Sequence, residues 1–125
     1  MKAEEFQKQL YQAQELMSEE KFDSAKSILE ELKFIEKKGE FDYSLTHKLY
    51  QLLSNLESLM NQKEISIMLN EISKKQEEIS MKKLERILVE EKDLKLGKGI
   101  LKREIELLVL RGILNIQIDG EIIKF

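Results

Sequence analysis

The side chain best suited to acid–base catalysis belongs to His47, which is the single histidine of the chain. Asp42 and Tyr43 lie close to it in the sequence, so a general base is one interpretation of this segment. A lone histidine on a helical segment is far more often a surface or capping residue, and no nucleophile is paired with it. The chain is therefore predicted not to be an enzyme.

Other segments with chemical potential lack the spacing that their chemistry requires. Adjacent glutamates point to different faces of their helices and do not converge; these pairs are Glu19 and Glu20, Glu30 and Glu31, Glu77 and Glu78, and Glu90 and Glu91. The stretch "LGKG" lacks the preceding strand and the full spacing of a phosphate-binding loop, so it is predicted to be a turn. The absence of cysteine excludes disulfides, thiolate nucleophiles and cysteine-based zinc sites. No cofactor and no metal are predicted.

The composition is that of a folded domain with a mixed-charge surface. Apolar residues make up 42% of the chain and charged residues 36%, and the formal net charge is −3. This apolar content is enough to bury a core, and the net charge gives the whole protein no attraction for nucleic acid. No apolar run approaches the roughly 20 residues of a membrane span, and the start "MKAEEFQKQL" has no signal-peptide core. A cytoplasmic protein without membrane insertion is expected.

Helical periodicity runs through the first part of the chain. Residues 3–17 carry an apolar stripe, formed by Phe6, Leu10, Ala13 and Met17. Asp23 is the predicted N-cap of a second helix that ends at Gly39. Two more helices are predicted at about 44–61 and 62–78, although "MNQKE" between them contains no strong breaker. Residues 1–61 are therefore predicted to form a helical hairpin or bundle.

The last part of the chain, residues 62–125, mixes helices with short strands. "EEISM" is a candidate strand, "KKLERILVEE" and "ILKREIELLVLRG" are amphipathic, and Gly112 occupies a left-handed helix terminus. "ILNIQI" and "EIIKF" are separated by Asp-Gly, which is a strong hairpin signal. The predicted fold is mainly α, with the helical hairpin or bundle followed by a winged helix, that is, a helix-turn-helix plus a small β-hairpin wing.

The string "LVLRGILNIQID" resembles the winged-helix end of PCI-domain proteins, which are scaffold subunits of the proteasome lid, the signalosome and a translation initiation factor. The fold-defining positions of that motif are matched by Leu108, Val109, Gly112, Leu114, Ile118 and Asp119. Upstream, "LMSEEKFDSAKSILEEL" is similar to a tetratricopeptide-type junction, with Phe22 and Ala25 at two signature positions. The resemblance implies a non-enzymatic scaffold subunit that binds other protein subunits.

Two functions remain open for the winged helix. Over residues 79–125, ten Lys or Arg stand against eight Asp or Glu, and the predicted wing tip, Asp119 to Glu121, is acidic. Partner binding through the last helix and an open edge of the final strand is the preferred hypothesis. Its predicted residues are Lys98, Lys102, Arg103, Glu106, Glu121, Ile123 and Phe125. The alternative is a DNA-binding regulator that dimerises through its N-terminal helices and contacts DNA with Lys102 and Arg103. The simplest interpretation of these charges is a solvated helix face.

The leucine-rich stretch "LYQLLSNLESLM" also has two interpretations. It carries more apolar positions than one neighbouring helix needs, so it is either ordinary core or a seam shared with another chain. Self-association is therefore a second possible mode of partner binding.

Overall fold

A computed structural model describes residues 1–97 and 99–125 and shows a mainly helical protein with a small antiparallel sheet. The described elements are, in order, α1 (Ala3–Ser18), α2 (Phe22–Lys38), α3 (Tyr43–Ser73), β1 (Glu78–Ser80), α4 (Met81–Lys92), α5 (Ile100–Leu110), β2 (Gln117–Asp119) and β3 (Ile122–Lys124). The chain divides into two compact units, Met1–Leu59 and Met60–Phe125, called unit 1 and unit 2 below. Within the part of the chain that the structure describes, no helix combines the length and apolar character that crossing a bilayer requires.

Unit 1 is built on the pairing of α1 with α2. The predicted stripe of α1 is buried, and so are Phe22, Ala25, Leu29 and Leu32 of α2. The rings of Phe6 and Phe41 pack with their centroids 4.6 Å apart. Leu49, Leu52 and Leu56 are also buried. The leucines of "LYQLLSNLESLM" are all at least partly buried within this chain, as an ordinary core requires.

The predicted start of α2 at Asp23 is wrong. The helix begins at Phe22, with Lys21 as an N-cap that makes no side-chain bond, and Asp23 lies in the first helical turn. There its carboxylate faces the positive end of the helix dipole, which is a second reason for an acidic residue near a helix start. The predicted end is confirmed, because Gly39 is the C-cap residue of α2.

The predicted boundary between helices at residues 61 and 62 is also wrong, because α3 is one continuous helix from Tyr43 to Ser73. This span contains no proline and no glycine, so nothing in the backbone interrupts its hydrogen bonds. The helix also ends before the predicted limit at Glu78, which is instead the first residue of β1.

The sheet of unit 2 has the strand order β1-β3-β2, with both pairings antiparallel. Ile79 pairs with Ile123, and Ile118 pairs with Ile123 from the other side. Two backbone bonds extend the β1–β3 ladder, from Phe125 N to Glu77 O at 3.0 Å and from Met81 N to Glu121 O at 2.7 Å. The last strand is therefore the central strand, and the prediction that it offers an open edge is wrong. The edges belong to β1 and β2.

The turn after α5 has the predicted left-handed geometry. Gly112 has a φ of +75°, and the amides of Gly112 and Ile113 donate to the carbonyls of Val109 and Leu108, both at 3.0 Å. This pair of bonds is a Schellman motif, which satisfies carbonyls at the helix end. Leu114, Ile116 and Ile118 then pack on the core of unit 2 while Asn115 and Gln117 are exposed, as the alternation predicts.

The hairpin between β2 and β3 is confirmed, but its loop is displaced by one residue from the Asp-Gly pair. Asp119 belongs to β2 and pairs with Ile122, so the loop consists of Gly120 and Glu121. Gly120 has a φ of +61°, which suits glycine at the first loop position of a type II′ turn. Because Asp119 lies in the strand, its carboxylate reaches Lys124 Nζ across the ladder at 3.1 Å.

One apolar core holds unit 2 together. It takes residues from α3, β1, α4, α5 and β3, namely Ile65, Met68, Leu69, Ile72, Ile79, Met81, Leu84, Leu88, Leu101, Ile105, Leu108 and Ile123. Ser80 caps α4, because its hydroxyl oxygen accepts from Lys83 N at 3.2 Å. This core fixes the orientation of α5, whose other side faces solvent.

Candidate functional site

Helix α5 has a buried face that contains one charged residue. The buried residues are Leu101, Glu104, Ile105 and Leu108. Ile100 and Val109 of the same helix are half-buried. Glu104 is 1% exposed although the sequence places it among the charges of a helix surface. This burial was not predicted from the sequence.

Glu104 is satisfied by a network of polar side chains. Gln62 of α3, itself buried, donates from Nε2 to Glu104 Oε2 at 2.8 Å. Arg103 Nη2 donates to the other carboxylate oxygen, Oε1, at 3.3 Å. Arg111 Nη1 donates to Gln62 Oε1 at 2.6 Å. A buried carboxylate is tolerated only when it is paired and hydrogen-bonded, and this network supplies both.

The arrangement of the network connects the core of unit 2 to its surface. Gln62 lies on the same helical stripe as Ile65, Leu69 and Ile72, so α3 directs its amide inward. Among the described residues, every buried side-chain nitrogen and oxygen has a hydrogen-bond partner. Arg103 and Arg111 are the exposed ends of the network. Their guanidinium groups are therefore held in place from inside the unit.

The solvent face of α5 combines charge with unusually exposed apolar side chains. Leu110 is 82% exposed and Leu107 is 38% exposed, and Ile113, just after the helix, is 51% exposed. Arg103 lies four residues before Leu107 and Glu106 lies four residues before Leu110, so these side chains share one helix face. We call the surface formed by Arg103, Glu106, Leu107, Leu110 and Arg111 the α5 face.

The predicted site residues are separated by the structure into two groups. Lys102, Arg103 and Glu106 are exposed on α5, and Glu121 is exposed in the hairpin loop. Ile123 is 0% exposed at the centre of the sheet, so its prediction as a partner-binding residue is wrong. Phe125 is half-buried against the core. Lys98 lies outside the described residues.

Unit 1 holds a second polar cluster, centred on Glu36. Thr46 Oγ1 donates to Glu36 Oε1 at 3.4 Å, and the hydroxyl of Tyr50 donates to Oε2 at 3.2 Å. His47 is exposed and its ring stacks on that of Tyr43 at 6.0 Å between centroids. Among residues 1–97 and 99–125, no group of three or more His, Asp or Glu side chains could hold a metal ion.

The hydroxyl of Tyr50 has a pKa above the ordinary value of a tyrosine. Partial removal of the hydroxyl from water raises the pKa of Tyr50, and so do its hydrogen bond to Glu36 and the charge of that carboxylate. The Glu36→Gln variant is expected to lower this pKa, because the amide carries no charge. Absorbance at the phenolate band follows the titration in the wild type and in Glu36→Gln. Subtracting the curve of the same protein with Tyr50→Phe leaves the signal of the Tyr50 hydroxyl.

The raised pKa of Tyr50 makes the free energy of unfolding depend on pH. The contribution of Tyr50 to folding is present below the ordinary pKa of a tyrosine and is lost as the pH rises through the higher folded-state value. Glu40→Gln removes a charge from the nearby loop and serves as the control. An equal shift of the Tyr50 titration in both variants would contradict the specific role of Glu36.

Comparisons of the chain with protein-family models, with curated protein sequences and with solved structures find no significant match.

Proposed function

We propose that the chain is a non-enzymatic interaction subunit of a cytoplasmic multiprotein complex and that unit 2 is a PCI-like winged helix. The order of elements supports this proposal, because a helix, a strand, two helices and a hairpin follow one another from α3 to β3. The strand order β1-β3-β2 is the one expected when the hairpin closes on the strand between the first two helices. In such a fold α5 is the helix that is presented to a ligand.

The observation that carries the proposal is the apolar character of the α5 face. Leu110, the last residue of α5, has 82% of its surface exposed on this face. A helix that reads DNA needs polar or cationic side chains towards base edges and phosphates, whereas a leucine there gains most from burial against another protein. Glu106 on the same face and Glu121 in the loop would repel phosphates.

The sheet offers a second contact of the same kind. With β3 in the centre, the unpaired backbone edges are those of β1 and β2, each three residues long. Such short edges add little affinity alone, but a strand of a partner can extend them. The proposed complex therefore combines burial of the α5 face with contact at a sheet edge that differs from the predicted one.

The proposal is tested by capturing partners on the immobilised full chain from a lysate of the source cells. Leu110→Glu is expected to reduce the proteins retained by the wild type at least about tenfold, because it places a charge at the centre of a desolvated contact. Tyr11→Glu, which adds a charge at an exposed apolar position of unit 1, is the matched control and is expected to retain them. Quantitative mass spectrometry measures the retained proteins, and thermal melting confirms that both variants are folded.

The DNA-binding alternative keeps one specific observation in its favour, the exposure of Lys102 and Arg103 on α5. It predicts micromolar binding to duplex DNA that is weakened by salt and by Lys102→Glu. That result, together with capture that Leu110→Glu leaves unchanged, would overturn the proposal in favour of a regulator.

A further inference from the structure

Arg103, Leu107 and Arg111 form a single ridge along the α5 face. They are four residues apart, and Arg111 still has helical backbone angles, with φ −79° and ψ −2°. Residues at this spacing follow one row along a helix surface. Eight residues of helix span about 12 Å, so the backbone positions of the two arginines are about this far apart, with Leu107 midway between them.

Both arginines of the ridge are hydrogen-bonded to buried side chains. Arg103 donates Nη2 to the buried Glu104, and Arg111 donates Nη1 to the buried Gln62, which in turn bonds Glu104. These bonds use one nitrogen of each group, and a guanidinium has five N–H donors. The remaining donors belong to side chains whose orientation is already fixed, which lowers the entropy lost when they bind a partner.

We propose that this ridge docks an acidic amphipathic helix of a partner protein, in which two carboxylates flank one apolar side chain. The carboxylates pair with Arg103 and Arg111, and the apolar residue packs on Leu107 and Leu110. This inference rests on the proposed function, since it names the kind of partner that the α5 face binds. Arginine suits such contacts because its planar group pairs a carboxylate through two hydrogen bonds.

The charge pattern favours such a helix over a uniformly charged ligand. Glu106 lies on the other side of Leu110 from the ridge, so an anion is attracted on one side of the leucines and repelled on the other. Leu107 separates the two cations with an apolar surface that a phosphate chain would leave exposed. A helix with the spacing Glu-x-x-x-Leu-x-x-x-Glu matches both the charges and the apolar centre.

The probe is a labelled peptide of about 20 residues that carries this Glu–Leu–Glu pattern on an alanine and glutamine background, because shorter helices are marginal in water. Fluorescence anisotropy with the full chain at about 50 mM salt measures its affinity. Comparison peptides replace both glutamates by lysine or the leucine by serine. Both are expected to bind at least about tenfold more weakly, because each removes one half of the complementarity.

Protein variants locate the binding on the ridge. Arg103→Gln and Arg111→Gln are each expected to weaken binding about threefold to tenfold, while Lys102→Gln, the same change one residue off the ridge, alters it less than about twofold. Arg111→Lys keeps the charge but cannot pair a carboxylate through two hydrogen bonds, so its affinity is expected to lie between those of the wild type and Arg111→Gln. Thermal melting checks the fold of every variant.

Two results would overturn the inference. One is an equal loss for Lys102→Gln and the arginine variants, which would show unspecific attraction. The other is absence of peptide binding at concentrations of tens of micromolar. If either occurs while Leu110→Glu still abolishes capture of partners, the proposed interaction function stands and only the acidic helix is wrong. Failure of both experiments removes the two proposals together.

Discussion

Replacing Glu104 by alanine is expected to lower the free energy of unfolding of unit 2 by about 3 kcal/mol, because it breaks a buried charge network from one side. The carboxylate accepts from Gln62 and from Arg103, and Gln62 is itself buried. Without Glu104 the amide of Gln62 loses this hydrogen bond in a region closed to water, and a cavity remains. Urea unfolding followed by circular dichroism measures the loss, and hydrogen-exchange mass spectrometry of residues 60–125 assigns it to unit 2.

Two controls separate the network from ordinary helix effects. Glu106→Ala makes the same substitution two residues along on the exposed face, and it is expected to change stability by less than about 0.5 kcal/mol. The double variant Gln62→Leu with Glu104→Leu replaces both partners by apolar groups, and it is expected to be more stable than Glu104→Ala. Equal effects of Glu104→Ala and Glu106→Ala would show that the network contributes nothing.

Local signals predicted the features that depend on a few neighbouring residues. Gly112 has a positive φ because the helix end needs a left-handed residue, and the alternation of residues 114–118 follows from one packed face. The predicted boundary inside α3 is wrong because "MNQKE" contains no residue that ends a helix. Periodicity alone does not separate one long helix from two helices in line.

Glu104 shows how residue type can obscure position. Leu101, Glu104, Ile105 and Leu108 follow the three- and four-residue spacing of a buried stripe, so the spacing alone places Glu104 inside. Glutamate is almost never buried unless it is paired, and its partner Gln62 lies far away in the sequence. The burial could therefore be suspected from the pattern, but the compensating contact could be found only in the folded structure.

The order of the strands could not be read from the hairpin. The Asp-Gly signal indicates that β2 and β3 pair, but it does not show on which side of β3 the earlier strand β1 adds. In the chain, α4 and α5 lie between β1 and the hairpin, so this choice depends on tertiary packing and not on the local sequence. Placement of β1 against β3 buries Ile123 and leaves the open edges at β1 and β2, outside the predicted partner-binding residues.

Replacing Ile123 by alanine is expected to destabilise unit 2 by about 3 kcal/mol, because this side chain is 0% exposed in the core. It pairs with Ile79 on one side and with Ile118 on the other, so its loss leaves a cavity under the central strand. Ile123→Val removes one methylene group and is expected to lower stability by about 1 kcal/mol. Urea unfolding measures the free energy of unfolding of both variants.

Glu121, which is exposed in the loop before β3, provides the matched control for Ile123. Glu121→Ala changes the hairpin loop without touching the core, so its stability should remain within about 0.5 kcal/mol of the wild type. If Ile123 contacted partners directly, Ile123→Ala would leave stability unchanged and weaken only the capture of partners. Since a buried residue can affect binding only through the fold, loss of capture by Ile123→Ala should follow the unfolded fraction and disappear at low temperature, where the variant is folded.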